Sequence, residues 1–216
     1  MSIDVTIKKN IIFDLDGTLI DSNSLHEKAF REALDGKKIN FNYENFHGVK
    51  TLDVFKSLGF ASNEAQYLTN KKQMTYRGYV DGGYVNEFSS STILLKLLIK
   101  NDLKLFLCTG ASRKSVEKIL LKFSWKGLFE DTICGDEVDR SKPDPFILDT
   151  IIKRNNLTKE NILYVEDSDK GLETGINAGV DTVVVNNVLD GAKISFKDIA
   201  DFYDYFHEFL SIKDVA

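Results

Sequence analysis

The chain has little of several features that would place it in a specialised class of protein. It contains 2 cysteines among 216 residues. Cys108 and Cys134 sit in apolar stretches without metal-ligand spacing, so we interpret them as small core residues of a protein from a reducing compartment. Basic residues are not in excess, because the net charge is -5. This acidity argues against a nucleic-acid partner.

Long apolar runs are also missing. The most apolar stretch, residues 93–99, is interrupted by Lys96 and is far too short to span a bilayer. The first ten residues are polar and contain no signal-peptide apolar segment. We therefore expect a cytoplasmic monomer with no membrane partner. The remaining composition, 43% hydrophobic and 28% charged, is that of an ordinary globular chain of one domain or two small ones.

The sequence is organised around residues 11–22, which read IIFDLDGTLIDS. The apolar residues at 11–13 predict a strand buried on both faces, as in parallel sheets. Asp14, Asp16 and Gly17 then end the strand, because Asp and Gly are poor strand formers. Open α/β sheets bind ligands at the carboxyl ends of their strands, so the two acids could share a divalent cation and a reacting group. A simple Asp-Gly turn is the alternative interpretation.

The rest of the chain alternates between helical and strand patterns. Residues 21–87 are rich in helix formers, and we predict that they form a helical cap domain inserted after the first strand. Residues 1–20 and 88–216 are predicted to form a Rossmann-like catalytic core, a doubly wound parallel sheet of the α/β class. Predicted core strands cover residues 11–15, 104–108, 132–134, 161–165 and 182–186. Predicted core helices cover residues 92–100, 115–123, 145–152, 172–178 and 201–210.

Three later segments place polar residues at strand ends or in a stiff loop. Thr109 and Gly110 follow the second core strand, where a hydroxyl and backbone amides can hold a phosphoryl oxygen. Lys142 lies between the chain's 2 prolines, which stiffen its loop. Glu166 and Asp167 end a buried strand. Each feature also has an ordinary interpretation: a turn, a surface lysine and a helix start.

Taken together, these segments resemble the four motifs of the haloacid dehalogenase-like superfamily. The match uses DLDGT from Asp14, Thr109, the SKPDP loop around Lys142, and EDSxxG from Glu166. The segment from Asp21 to His26 resembles the cap entry of the β-phosphoglucomutase and phosphoglycolate phosphatase branch. The resemblance implies Mg²⁺-dependent phosphoryl transfer to or from a small phosphorylated metabolite, such as a sugar phosphate.

The resemblance also implies a role for each matched residue. Asp14 is expected to be the nucleophile that forms an aspartyl phosphate. Asp16 is expected to act as general acid and base, with a pKa raised by the nearby Asp14 charge. Thr109 and Lys142 are expected to hold the phosphoryl oxygens. The expected Mg²⁺ ligands are Asp14, the backbone carbonyl of Asp16, Asp167 and Glu166, the last by orienting a water.

Residues near the cap are expected to contact the substrate. We assign His26, Gly110 and Arg113 to this group, although a surface histidine and a solvated arginine are the alternatives for His26 and Arg113. A phosphatase is the favoured function. A sugar-phosphate mutase is the alternative, which is weakened because Thr51 stands where the mutases carry an arginine for a second phosphate. A receiver-like, non-catalytic phosphoacceptor module is the third hypothesis.

Overall fold

Strand β1 (Asn10–Phe13) lies at the centre of a five-stranded parallel sheet. The structure is a computed structural model that describes residues 8–213, with side chains up to residue 210. The strand order is β5-β4-β1-β6-β7, with β4 at Lys104–Thr109, β5 at Asp131–Cys134, β6 at Ile162–Glu166 and β7 at Asp181–Val184. Phe13 is in register with Leu107 on one side and Val165 on the other. The carboxyl ends of β1, β4 and β6 therefore meet at one edge.

Helices cover both faces of this sheet, because alternate residues of the buried strands point to opposite sides. One face packs Ile11 and Phe13 against α4 (Ser91–Lys100), α5 (Arg113–Lys122) and α8 (Ile199–Lys213). The other packs Ile12 and Tyr164 against α6 (Phe146–Arg154) and α7 (Asp169–Ala178). The predicted α/β fold class, a doubly wound parallel sheet, is confirmed.

Three α-helices lie in the part of the chain between residues 21 and 86. They are α1 (Asn23–Ala33), α2 (Thr51–Ser57) and α3 (Ser62–Asp81), which we call the helical insert. Their apolar faces meet in a separate cluster of aromatic and aliphatic side chains, with Phe30 and Phe55 fully or almost fully buried. The chain enters and leaves the insert through a two-residue antiparallel pair, β2 (Ile20–Asp21) with β3 (Asn86–Glu87). None of the helices within residues 8–213 has the length and hydropathy needed to cross a bilayer.

A few local predictions differ from the structure. The β2–β3 pair was not predicted, because two-residue strands leave no periodic pattern. The helical spacing of aromatic residues in 201–210 predicts that Tyr205 faces inward with Phe202 and Phe206, but the exposed fraction of Tyr205 is 39%. Phe202 and Phe206 of the same helix are buried and satisfy the contact with the sheet, so Tyr205 falls at the edge of the apolar stripe.

Candidate active site

The turn after β1 places Asp14 and Asp16 at the carboxyl edge of the sheet. The Asp14 amide donates to the Val165 carbonyl at 2.9 Å, which continues the ladder to β6 for one residue. Gly17 has φ +86°, and a Cβ atom there would lie 2.1 Å from Asp167 Oδ2. Both the left-handed backbone and the close approach of Asp167 therefore require glycine at this turn.

Lys142 enters the same edge from the loop before α6. Its Nζ lies 2.6 Å from Asp14 Oδ1 and also donates to Glu166 Oε1, and all three side chains are buried. Burial alone would lower the pKa of Lys142, but Asp14 and Glu166 raise it above the usual lysine range. Lys142 is therefore a fixed positive charge beside Asp14.

Glu166 is held by hydrogen bonds on both of its carboxylate oxygens. Tyr164 donates to Oε1 at 2.8 Å, and the Asp167 amide and the Ser168 hydroxyl donate to Oε2 at 2.9 and 3.0 Å. A Cβ atom at Gly171 would lie 1.8 Å from the Glu166 carboxyl carbon, so this side chain has no room to move toward α7. The structure thus shows Glu166 positioning Lys142, a contact that the sequence did not predict.

Asp14, Glu166 and Asp167 form a compact group of oxygen donors. Each offers one carboxylate oxygen, and these atoms all lie within 4.8 Å of one another. Burial raises the pKa of Asp14 to about 8, with Lys142 opposing and Glu166 adding to the rise. Burial also raises the pKa of Asp167, with further increases from Glu166 and Asp14. Three carboxylates face the single ammonium of Lys142, so the donor set suits a hard divalent cation such as Mg²⁺.

Asp16 lies in a different environment, against the helical insert. Its Oδ1 accepts from the Ser22 hydroxyl at 2.7 Å and the Tyr76 hydroxyl at 3.1 Å, and it lies 2.8 Å from His26 Nε2. Burial would raise the pKa of Asp16, but His26, Ser22 and Lys72 together lower it below its ordinary range. The expectation of a raised Asp16 pKa is wrong, because His26, Ser22 and Lys72 outweigh the effect of burial.

A buried chain of polar groups continues from Asp16 into α3. His26 Nδ1 lies 2.6 Å from Lys72 Nζ, and both side chains are buried. Burial, reinforced by Lys72, lowers the pKa of His26, and burial lowers that of Lys72 to about 7. Sequence reasoning missed Lys72. The available signal was a lysine four residues from Leu68 and from Tyr76, on the apolar stripe of α3.

The remaining predicted residues divide into two groups. Thr109 and Gly110 line a small cavity of about 30 Å³ together with Asp14, Asp16 and His26. Arg113 is not part of this group. Its guanidinium donates to Glu137 and, at 2.6 Å, to the Thr132 carbonyl. These nearby acceptors hold the Arg113 side chain along the start of α5, and its substrate contact stays a prediction.

The helical insert closes over the sheet edge through backbone and side-chain contacts. A Cβ atom at Gly110 would lie 2.6 Å from the Gly48 carbonyl oxygen, so the two backbones touch. Lys50 Nζ donates at 2.8 Å to the carbonyls of Val138 and Asp139, in the loop that leads to Lys142. Lys50 was not predicted, since a lysine that binds distant carbonyls has no local sequence signal.

Residues 11–185 match the family model of haloacid dehalogenase-like hydrolases, and the chain belongs to this family. Among its relatives, the phosphorylated carbohydrates phosphatase of Thermotoga maritima is 27% identical over 188 residues, covering 84% of this chain and 87% of that protein. Pyrophosphatase PpaX of Bacillus mycoides is 28% identical over 185 residues, covering 84% and 85%. A hydrolase from Pseudomonas syringae shares the fold with a TM-score of 0.82 at 21% identity, covering 93% and 99%.

Proposed function

We propose that the protein is a Mg²⁺-dependent phosphatase that hydrolyses a small phosphorylated metabolite through an aspartyl phosphate on Asp14. The observation that carries the proposal is the 2.6 Å contact between Asp14 and the buried ammonium of Lys142, within a group of carboxylates suited to a divalent cation. Phosphoryl transfer chiefly needs positioning and charge neutralisation, which this arrangement supplies. The relatives named as phosphatases support the same chemistry.

Mg²⁺ fits the donor set at the sheet edge. Asp14, Asp167 and the backbone carbonyl of Asp16 would hold it, while Glu166 would orient a water. When bound, the ion supplies charge neutralisation for the carboxylates and for the phosphoryl group. Lys142 contributes a second positive charge that does not depend on the metal. Glu166 keeps Lys142 aimed at Asp14, and the Thr109 hydroxyl and the Gly110 amide are available to hold phosphoryl oxygens.

The chain's own residues can account for both steps of hydrolysis. In the first, an Asp14 oxygen forms a bond to phosphorus while the bond to the leaving oxygen breaks, and Asp16 gives that oxygen a proton. Because the pKa of Asp16 is low in the free protein, we infer that the proton reaches it through His26 Nε2 from the His26–Lys72 pair. In the second step, water attacks phosphorus and the bond between phosphorus and the Asp14 oxygen breaks, which restores the Asp14 carboxylate. The ionised Asp16 accepts the proton that the water loses.

We further propose that the helical insert acts as a cap that closes the site. The backbone of Gly48, in the insert, contacts Gly110 of the core. His26 of the insert lies beside Asp16, and Lys72 contacts His26 from α3. Closure excludes water from the reacting groups and completes the proton path to Asp16. A receiver-like phosphoacceptor would have no such insert, so the presence of this element favours an enzyme.

A panel of phosphate esters, assayed for released phosphate with and without Mg²⁺, tests the proposal. We expect release only with Mg²⁺, and a decrease of more than about a thousandfold in Asp14→Asn, because the nucleophile is lost. Circular dichroism of the variant checks that it is folded. Normal turnover by Asp14→Asn would contradict the proposal. Isomerised product without net release of phosphate would favour the mutase alternative.

A further inference from the structure

A second, larger cavity adjoins the proposed site on the side of α3. It has a volume of about 860 Å³ and lies between α3 of the helical insert and the start of α5 in the core. Thr51 and Gly110 line both this cavity and the small one that contains Asp14 and Asp16. A phosphate ester bound at Asp14 therefore has space for its leaving group in this direction. We call this larger cavity the α3 cleft.

One side of α3 faces the cleft with a polar stripe. The stripe follows helical spacing, with polar residues at 66, 69, 70, 73 and 77 and the apolar Met74 beside them. The neighbouring stripe, which includes Leu68, Lys72 and Tyr76, is buried inside the molecule. A polar stripe on a helix is usually only a solvated surface. This one instead forms a wall opposite Gly110 and Lys114 of the core.

The charge of the α3 cleft is opposite to that of the whole chain. Four cationic residues and one carboxylate line it, whereas the chain has a net charge of -5. Lys50 is engaged by the Val138 and Asp139 carbonyls, and Lys71 lies 3.4 Å from the Ala33 carbonyl oxygen. Arg77 and Lys114 have no hydrogen-bond or ion-pair partner in the part of the chain that the structure describes. Two positive charges are therefore available to a ligand.

The cleft also contains a polar group without a partner. Thr69 lines it, its exposed fraction is only 4%, and its Oγ1 makes no hydrogen bond to any of the described residues. Buried hydroxyls are normally paired, because an unpaired one costs free energy. An ion pair between Lys118 and Asp81, at 2.6 Å, joins α5 to α3 one turn beyond Lys114 and Arg77. This exposed pair spans the two walls at one end of the cleft.

We propose that the α3 cleft binds the leaving group of the substrate and selects one that has a second anionic group, either a carboxylate or a second phosphate. Arg77 and Lys114 would bind this anion, and the Thr69 hydroxyl would bind a polar atom next to it. The inference rests on the proposed phosphatase function and specifies its substrate class. Guanidinium and ammonium groups donate charge-assisted hydrogen bonds to both kinds of anion, so the chemistry is shared.

Matched pairs of phosphate esters test this selectivity. Sorbitol 6-phosphate and 6-phosphogluconate differ by a carboxylate, while fructose 6-phosphate and fructose 1,6-bisphosphate differ by a second phosphate. We expect kcat/KM to be higher for the member with the second anionic group in at least one pair. We define the selectivity ratio as kcat/KM for the ester with the second anion divided by kcat/KM for the ester without it. Arg77→Gln and Lys114→Gln should each lower this ratio by about tenfold, as expected for the loss of one charge-assisted hydrogen bond.

Two further variants separate a local charge effect from other causes. Arg77→Lys keeps the charge and should retain most of the ratio. Lys96→Gln makes the same charge change on the exposed face of α4, outside the cleft, and should leave activity and ratio unchanged. A wild-type ratio of one or less in both pairs would overturn the proposal. An unchanged ratio in both Arg77→Gln and Lys114→Gln would also overturn it.

Binding measurements distinguish failure of this inference from failure of the proposed function. Titration calorimetry of Asp14→Asn with each pair in Mg²⁺ reports affinity without turnover. Tighter binding of the ester with the second anion, lost when Arg77→Gln is added to Asp14→Asn, would support anion binding by the cleft. This result would hold even if the wild-type protein released no phosphate. Phosphate release without any such preference would leave the phosphatase function standing and overturn the cleft assignment.

Discussion

Replacing Asp167 by Asn should stabilise the metal-free protein while weakening its response to Mg²⁺. In the structure Asp167 accepts from the Thr18 hydroxyl at 3.0 Å and from Asn23 Nδ2 at 3.5 Å. It has no ion-pair partner of its own among the described residues. Its carboxylate lies within 4.8 Å of those of Asp14 and Glu166. The substitution keeps the shape of the side chain and removes one of three crowded negative charges.

The magnitude follows from the geometry. Two unit charges at this separation repel by about 3 kcal/mol at an effective dielectric constant of about 20. The protein avoids part of this cost by protonating Asp167, whose pKa is raised by burial, Glu166 and Asp14. We therefore expect Asp167→Asn to increase the free energy of unfolding by about 1–3 kcal/mol at about pH 8. For a chain of this length that corresponds to an increase in Tm of about 3–10 °C.

The stability difference between Asp167→Asn and the wild-type protein depends on pH. Because the pKa of Asp167 is raised by folding, the folded protein binds a proton that the unfolded chain has already lost above the ordinary carboxyl range. The stability of the metal-free protein therefore decreases as pH rises from the ordinary carboxyl pKa to the raised pKa of Asp167 in the folded protein. Asp167→Asn removes this contribution, so its advantage over the wild-type protein should grow with pH.

Thermal melting in EDTA and in saturating Mg²⁺ measures both effects. Mg²⁺ at a hundred times its Kd stabilises the wild-type protein by about 2.7 kcal/mol, and each tenfold loss of affinity in the variant removes about 1.4 kcal/mol of that gain. The difference between the two proteins should thus shrink or reverse with Mg²⁺. Asp190→Asn, at an exposed loop position, is the matched control. A variant less stable than wild type in EDTA, or equal Mg²⁺ stabilisation of both, would refute the reasoning.

Three other substitutions have definite expected outcomes. Lys142→Met should lower kcat by about a thousandfold and destabilise the fold by about 3–5 kcal/mol, because it leaves two buried carboxylates without their cation; full activity would contradict its role. Gly110→Ala should lower kcat/KM by about tenfold, because the new Cβ atom would lie 2.6 Å from the Gly48 carbonyl oxygen. Gly78→Ala, whose Cβ atom would enter open space on α3, is the control and should leave kcat/KM unchanged. Folding lowers the pKa of Lys72 to about 7. Above that pH the unfolded chain keeps a proton on Lys72 that the folded protein has lost, so wild-type stability should rise with pH up to the ordinary lysine pKa. Melting curves of Lys72→Met should lack that rise, and a parallel pH profile would show that Lys72 is not the group responsible.

The sheet and its functional edge could be predicted because their signals are local. Apolar strands followed by polar residues mark Asp14, Thr109 and Asp167, and parallel strands align these ends at one edge. Lys142 was predicted from the resemblance and from its stiff loop. The β2–β3 pair could not be predicted, because its stability comes from tertiary contacts of the insert rather than from a run of strand-forming residues.

Side-chain partners were harder to predict than positions. Arg113 lies at the start of α5 as expected, but Glu137 and the Thr132 carbonyl compete for its guanidinium. The partner of Lys50 is a pair of backbone carbonyls 88 and 89 residues away. Such contacts depend on how the insert meets the core, and no spacing along the chain encodes them. The same limit applies to Lys72, whose burial was visible in the pattern of α3 but whose contact with His26 was not.

The pKa values of Asp14 and Asp16 show why proximity in sequence was a poor guide to electrostatics. Only Leu15 separates the two acids, yet folding shifts their pKa values in opposite directions. Asp14 faces the core carboxylates, whereas the donors around Asp16 come from Ser22 and from α1 and α3 of the helical insert. The lowered pKa of Asp16 is therefore a property of the closed arrangement of insert and sheet. If the insert moved away, Asp16 would lose His26 and Tyr76 together, and its pKa would return toward the ordinary carboxyl range as water replaced them.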